Sequence, residues 1–425
     1  MSSPDMSKIK ELNEKYEMFR VLNSDVIKGD FLFSVSDSFV TREADTLCGS
    51  EILEGYNPPF DADSVIAFKE AGGVPIGKTN MSEFGTVPYT NGPYGIPKNP
   101  FDAERTCGGP SAGAACAASL LDIVSLSLST CGSVLNSAAY CGVYGMVPTY
   151  GKVSKAGTVD AGSSVDRVGV ISSKSDDIVK YAKILMESGD GKKSQIKTVG
   201  IPKGVTDNVS DDIKKNFERN LEILKSLGFE PKTIELPSMK YAAIACRILT
   251  TAEASTSMSR YCGMRYGKQD GDYTLESDEF FTSVRTEHFG TPAKEAILLG
   301  SYMRMDGTRE RYYNKARMVR ELMIEEYQSA LKECDVILTP TTESAAPLIS
   351  ETSEMTMVES FSADRFTAPP DLAGMPVLSV PCGYDNGGMP MGMMLIANHN
   401  EENKLFDFCE TWNKQFDIVK PEAVL

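Results

Sequence analysis

Two residues in this chain have the type and setting for nucleophilic chemistry: Lys78 in VPIGKTNMSEFG and Ser133 in STCGSVLNSAAYCG. A serine hydroxyl attacks a carbonyl only if a base removes its proton, and histidine is the usual base. Only His288 and His399 are present, and neither lies in a Gly-rich or Ser-rich context. Lysine can replace histidine if burial lowers its pKa enough to leave a neutral amine. Lys78 follows a short apolar strand, directly after Gly77, with few charges nearby. Taken alone, a surface lysine at a strand end is the better reading. Ser133 follows Gly132 at an expected strand-to-helix turn, where the N–H groups of Cys131, Gly132 and Ser133 could converge on a carbonyl oxygen. Taken alone, it also reads as a serine N-cap, worth about 1 kcal/mol to a helix.

The stretch that holds Ser133 differs from the rest of the chain. From Cys107 to Tyr150 it is dominated by Gly, Ala, Ser and Cys and contains no Lys, Arg or Glu. Small residues let backbones approach closely and leave amide N–H groups accessible, as a tight turn or an oxyanion site requires. A Gly/Ser linker is excluded, because Leu121, Ile123, Val124, Leu126 and Leu128 read as a helix end followed by a buried strand. Upstream, Ile9, Leu12, Tyr16, Phe19 and Leu22 recur at helical spacing and predict a helix over 6–22, within an N-terminal segment 1–24. FLFSVSD (31–37) and VPIGKTN (74–80) predict strands flanking a short helix over 61–71 that stops at Gly72–Gly73. Farther on, SGDGKKS (188–194) reads as a loop, IKTVGIPKG (196–204) and PKTIELP as strands, and 211–229 as the helix between them. Residues 304–333 predict one long charged helix; 335–342 and 378–397 predict strands, the latter with a hairpin turn at Asn386–Gly387–Gly388. This alternation predicts an α/β fold with a central mixed, mostly parallel sheet and helices on both faces. One core is expected from 25–185 and 335–425, with 190–330 as a more peripheral α/β region.

Composition removes several functions. The 59 acidic residues against 43 basic ones give a net charge of −16, so the surface is not expected to grip a phosphate backbone by itself, which takes clustered Lys and Arg. The ten cysteines form no Cys-x-x-Cys pair, and with two histidines a zinc site is not expected. Buried, reduced thiols are the expectation for all of them except Cys131, which sits in the serine turn. No apolar run is long enough to span a bilayer, and the polar N-terminus lacks a signal core, so a cytoplasmic location is expected. CGGPSAG lacks the endings of a phosphate loop or a dinucleotide fingerprint.

GKTNMSEFG, CGGPSAGAA and STCGSVLNSAAYCGVYGMVPTYGKVSKAG, in that order, resemble the lysine motif, the Gly/Ser-rich loop and the nucleophile motif of the amidase-signature family. SSVDRVGVISS (163–173), YYNKARMVRELM (312–323), DVILTPTT and FTAPPDLAGMPVLSVPCG (366–383) extend the likeness over most of the chain, toward the family's tRNA-dependent amidotransferase A subunits. The resemblance implies a Ser-cisSer-Lys amidase with Lys78 as base and Ser133 as acyl-forming nucleophile. The amides of Thr130, Cys131, Gly132 and Ser133 would be the oxyanion donors. It further implies glutamine as ammonia source, B and C partner subunits, tRNA contact through the B partner, and ATP and Mg on the partner with no cofactor on this chain. Two departures stand out. The bridging serine position is Pro110, leaving Ser111 as the nearest hydroxyl, and the family's Asp-Thr-Gly-Gly-Ser-Ile-Arg reads Ser129-Thr130-Cys131-Gly132-Ser133-Val134-Leu135. Proline can keep a cis peptide but supplies no hydroxyl, so a cis Gly109–Pro110 bond and a relay through Ser111 or water are expected. Arg320 is the candidate for the glutamine α-carboxylate, since a guanidinium can hold it bidentately. An A-type subunit kept for assembly and a stand-alone small-amide amidase are the alternatives.

Overall fold

The computed structural model describes residues 5–23, 29–187, 194, 196–416 and 418–422. Eleven strands form one sheet: β1 (Phe19–Leu22), β2 (Phe31–Ser36), β3 (Gly73–Thr79), β4 (Val124–Ser129), β5 (Tyr144–Val147), β6 (Arg167–Ser172), β7 (Thr198–Pro202), β8 (Glu230–Ile234), β9 (Val336–Pro340), β10 (Val377–Tyr384) and β11 (Pro390–Ile396). Their order across the sheet is β1-β3-β2-β4-β6-β5-β10-β11-β9-β7-β8. The expected α/β architecture with a mixed sheet is present.

The sheet is less parallel than the sequence suggests: four of its ten neighbouring pairs are parallel. The central run from β4 to β9 is antiparallel throughout. A parallel neighbour needs a long crossover, whereas an antiparallel one can follow a tight turn. Asp385–Gly388 is such a turn between β10 and β11, with Gly388 N–H donating to Asp385 O at 3.0 Å. The strands β7 and β8 from the 190–330 segment extend the same sheet at one edge. Most of the predicted loop over 188–194 lies outside the described residues.

Two helical expectations change. The helix predicted over 6–22 ends at Tyr16, and Phe19–Leu22 is an edge strand. Glu17 adopts a left-handed conformation, and Asn13 holds both the N–H and the C=O of Phe19, at 2.6 and 3.0 Å. The long helix predicted over 304–333 is instead a helix Thr291–Arg304, a π-helical turn Glu310–Asn314 and a helix Lys315–Ala330. Gly307, at φ +83°, marks the break. No helix among the described residues is long and apolar enough to cross a membrane.

The Gly/Ser-rich stretch lies at the centre. The helix Ala112–Leu121 is buried along its whole length and packs on β4, whose six residues are also all buried. Small side chains make that approach possible: a Cβ on Gly113 would lie 2.6 Å from the Asn80 carbonyl oxygen. A second buried helix, Ser133–Tyr140, starts just past the end of β4. Loop 107–111, the start of this second helix and the end of β4 therefore meet at one place.

Candidate active site

Ser133 opens the helix Ser133–Tyr140 and is 1 % exposed. The turn before it is tight, with Cys131 at φ +52° and Gly132 at φ +85°. Only glycine fits at 132, because a Cβ there would sit 2.5 Å from Thr367 Cβ. Thr367 also donates its hydroxyl to the Cys131 carbonyl at 3.0 Å, clamping the turn from the opposite side.

Ser111 Oγ lies 2.9 Å from Ser133 Oγ, so the structure brings these two expected residues together. The Gly109–Pro110 peptide before it is cis, as expected. A further hydroxyl is present that the sequence motifs do not mark: Ser127 on β4 donates to Ser111 Oγ at 2.9 Å. Among the described residues Ser111 is the one side chain hydrogen-bonded to Ser133, and Ser127 stands behind it. Ser133 Oγ has one further acceptor, the Leu128 carbonyl at 3.4 Å.

Lys78 is buried on β3, 2 % exposed, but its amine turns to another set of partners. Nζ donates to the Phe39 carbonyl and to Thr46 Oγ1, the latter at 3.0 Å, and lies 3.6 Å from Asp37 Oδ1. No hydrogen bond joins it to Ser111 or Ser133 among the described residues. Few charges lie near Lys78 in the sequence, but the fold brings a carboxylate, Asp37, to its amine. Asp37 also receives Arg20, Nε at 2.9 Å and Nη2 at 3.1 Å, while Arg20 Nη1 reaches Asp45 at 2.9 Å. Burial lowers the Lys78 pKa to about 8, with Asp37 pulling the other way.

The four expected oxyanion donors differ in their surroundings. Among the described residues the Gly132 N–H has no acceptor, whereas the Ser133 N–H reaches the Thr130 carbonyl at 3.3 Å. Burial raises the Asp371 pKa, with the Arg167 guanidinium and the Cys131 N–H pulling the other way. The Thr130 hydroxyl donates to Asp166 at 2.8 Å, and Asp166 also accepts the N–H groups of Ala161 and Gly162 at 3.0 and 2.9 Å. Burial raises the Asp166 pKa to about 7. Arg320 is half-buried and donates to the Ser164 carbonyl at 2.8 Å. Among the described residues it makes no hydrogen bond with Ser133.

A family model described as amidase matches residues 31–406. The A subunit of glutamyl-tRNA(Gln) amidotransferase from Syntrophus aciditrophicus is 35 % identical over 412 residues, covering 92 % of this chain and 84 % of that protein. Its counterpart from Prosthecochloris aestuarii is 36 % identical over 394 residues, covering 88 % and 82 %. The chain belongs to the amidase family. Among solved structures, the A subunit of glutamyl-tRNA(Gln) amidotransferase from Thermotoga maritima superposes with a TM-score of 0.82 at 27 % identity, covering 99 % of this chain and 93 % of that one. A 6-aminohexanoate cyclic dimer hydrolase shares the fold at 16 % identity and a TM-score of 0.81.

Around this candidate site the structure adds buried groups that sequence reading passed over. Arg247 pairs with Asp364 and donates to the Thr86 carbonyl at 3.2 Å, with both side chains 1 % exposed. The residue before it, Cys246, brings its Sγ to 2.9 Å from Cys131 Sγ. Arg167 pairs with Asp371. One signal was available: Arg247 is the only charge in the small, apolar run AAIACRILTTA. Asp166 and Arg167 lie in SSVDRVGVISS, a segment that stands out for its family likeness and not for these two side chains.

Proposed function

We propose that this chain is an amide hydrolase of the amidotransferase A-subunit type, releasing ammonia from glutamine through an acyl-enzyme on Ser133. The 2.9 Å contact between Ser111 and Ser133, at a turn whose Gly132 N–H has no acceptor among the described residues, carries the reading. Ser133 attacks the amide carbonyl, Ser111 accepts its proton, and the Gly132 N–H faces the developing oxyanion. Lys78 is the base that finally takes the proton, and its lowered pKa leaves a usable share of neutral amine near pH 8. In this structure that amine is engaged by Phe39, Thr46 and Asp37, so it has to leave Asp37 or work through water, and turnover is slow. The likeness to proteins named as amidotransferase A subunits supports work within a multi-subunit complex; in this reading B- and C-type partners, in a cytoplasmic setting, carry ATP, Mg and the tRNA contact.

A second reading has its own observation. Lys78, held by Asp37 and disconnected from the serines, suits an A-type subunit retained for assembly with its glutaminase weakened. Reconstitution with B- and C-type subunits separates the two. Glutamine-dependent ammonia release that vanishes in Ser133→Ala supports the first. Complex formation with no release from the unaltered chain supports the second.

A further inference from the structure

Ser111 stands at the N-cap of the helix Ala112–Leu121, yet its side chain makes no capping hydrogen bond. A serine there normally accepts a hydrogen bond from the first turn's N–H groups and stabilises the helix. This hydroxyl is diverted to two others, Ser133 on one side and Ser127 on the other, each at 2.9 Å. Ser127 is fully buried, and Ser111 is the only partner of its hydroxyl among the described residues. A hydroxyl has two acceptor positions and one proton to give. With Ser127 donating, Ser111 can still accept from Ser133, and both acceptor positions are then filled. The proton of Ser111 is then left to point away from both serines.

We propose that Ser127 is a positioning residue for the nucleophile: it holds Ser111 off the helix cap and orients it to receive the Ser133 proton. The transfer is balanced: Ser133 loses its proton to Ser111 Oγ as Ser111 passes its own, through water, to the neutral amine of Lys78, and Ser127 keeps its proton throughout. This rests on the reading of Ser133 as nucleophile, but not on glutamine as substrate. Without Ser127, Ser111 is free to rotate onto its own helix as an ordinary cap.

The test uses the full chain and an alkyl fluorophosphonate probe, with the labelled serine located by mass spectrometry. The unaltered chain should be labelled at Ser133. Ser127→Ala should be labelled roughly tenfold more slowly, the factor that one ordinary hydrogen bond carries. Its thermal midpoint should be unchanged or higher, because Ser111 gains its cap. Ser127→Thr, which keeps the hydroxyl, should recover most of the rate. Where glutamine is turned over, the Ala variant should lower kcat and leave KM unchanged. Three results overturn the proposal: an Ala variant labelled at the full rate, Ala and Thr variants that lose rate in step with thermal midpoint, or an unaltered chain not labelled at Ser133. Labelling without glutamine turnover would reject the glutamine reading and leave the role of Ser127 standing.

Discussion

The side-chain partner of Ser133 is a hydroxyl, Ser111, itself held by Ser127; Lys78 meets the Thr46 hydroxyl and a charge, Asp37, which in turn holds Arg20. Both regions are cut off from solvent, yet they hold their protons differently. Hydroxyls give and accept at the same atom, so a short chain of them can reverse direction by rotating O–H bonds. A buried ion pair resists change, because removing one partner strands the other charge and typically costs about 3–5 kcal/mol. The serine half of this site is arranged for proton movement, and the lysine half is arranged to hold a charge cluster together. The slow step should therefore lie on the lysine side.

The strongest way to break this comparison is to remove the nucleophile. Ser133→Ala should lower ammonia release from glutamine in the reconstituted complex by more than about 10⁴-fold, since loss of a catalytic serine removes the covalent route. It should leave the far-UV circular dichroism spectrum unchanged. Residual activity near the original level would place the chemistry elsewhere. Ser111→Ala comes next, with an expected loss of roughly 10²–10⁴-fold for removal of a proton-transfer group. Wild-type rates in that variant would mean that water carries the proton.

The lysine side is sharpened by pH. If neutral Lys78 is the base, kcat should climb about tenfold per pH unit and level off near pH 8, where its amine loses its proton. Asp37→Asn removes the carboxylate that favours the charged amine, so the rising limb should move to lower pH. A rate that is flat from about pH 6 to about pH 9, in both proteins, would remove Lys78 from the mechanism.

The smallest expected effect is on stability. Folding raises the Asp166 pKa to about 7, against about 3.9 in an unfolded chain. The native state binds this proton more tightly than the unfolded one, so Asp166 makes stability fall as pH rises between those values. Denaturant midpoints measured across that range should lose part of their slope in Asp166→Asn. An identical slope in both proteins would show that the carboxyl is not held protonated beneath Thr130.

The large elements were legible because their signals are local. FLFSVS and GVPIGKT carry strand patterns in a few consecutive residues, and the absence of Lys, Arg and Glu from Thr106 to Tyr150 marks a segment buried but for Asp122 and Tyr150. The failures have local causes too. Phe19 and Leu22 fit a helical period, but a side-chain clamp from Asn13 and pairing with β3 make them an edge strand. Sheet direction was misjudged because hydrophobic pattern reports burial, and a buried antiparallel strand is as apolar as a parallel one.

By itself, the sequence determined the family, the order of the lysine and serine motifs, the replacement of the bridging serine by Pro110, and Ser111 as the nearest remaining hydroxyl. Only the tertiary structure decided which of these residues meet. Ser127 reaches Ser111 across 16 residues and Lys78 finds Thr46 across 32, while Arg247 and Cys246 are brought to Asp364 and Cys131 across 117 and 115. The reason is physical. Motifs record which groups are present, but a proton's path depends on contacts a few ångströms long. Those contacts follow from the register of β2, β3 and β4 and from how closely the helix Ala112–Leu121 packs on that sheet.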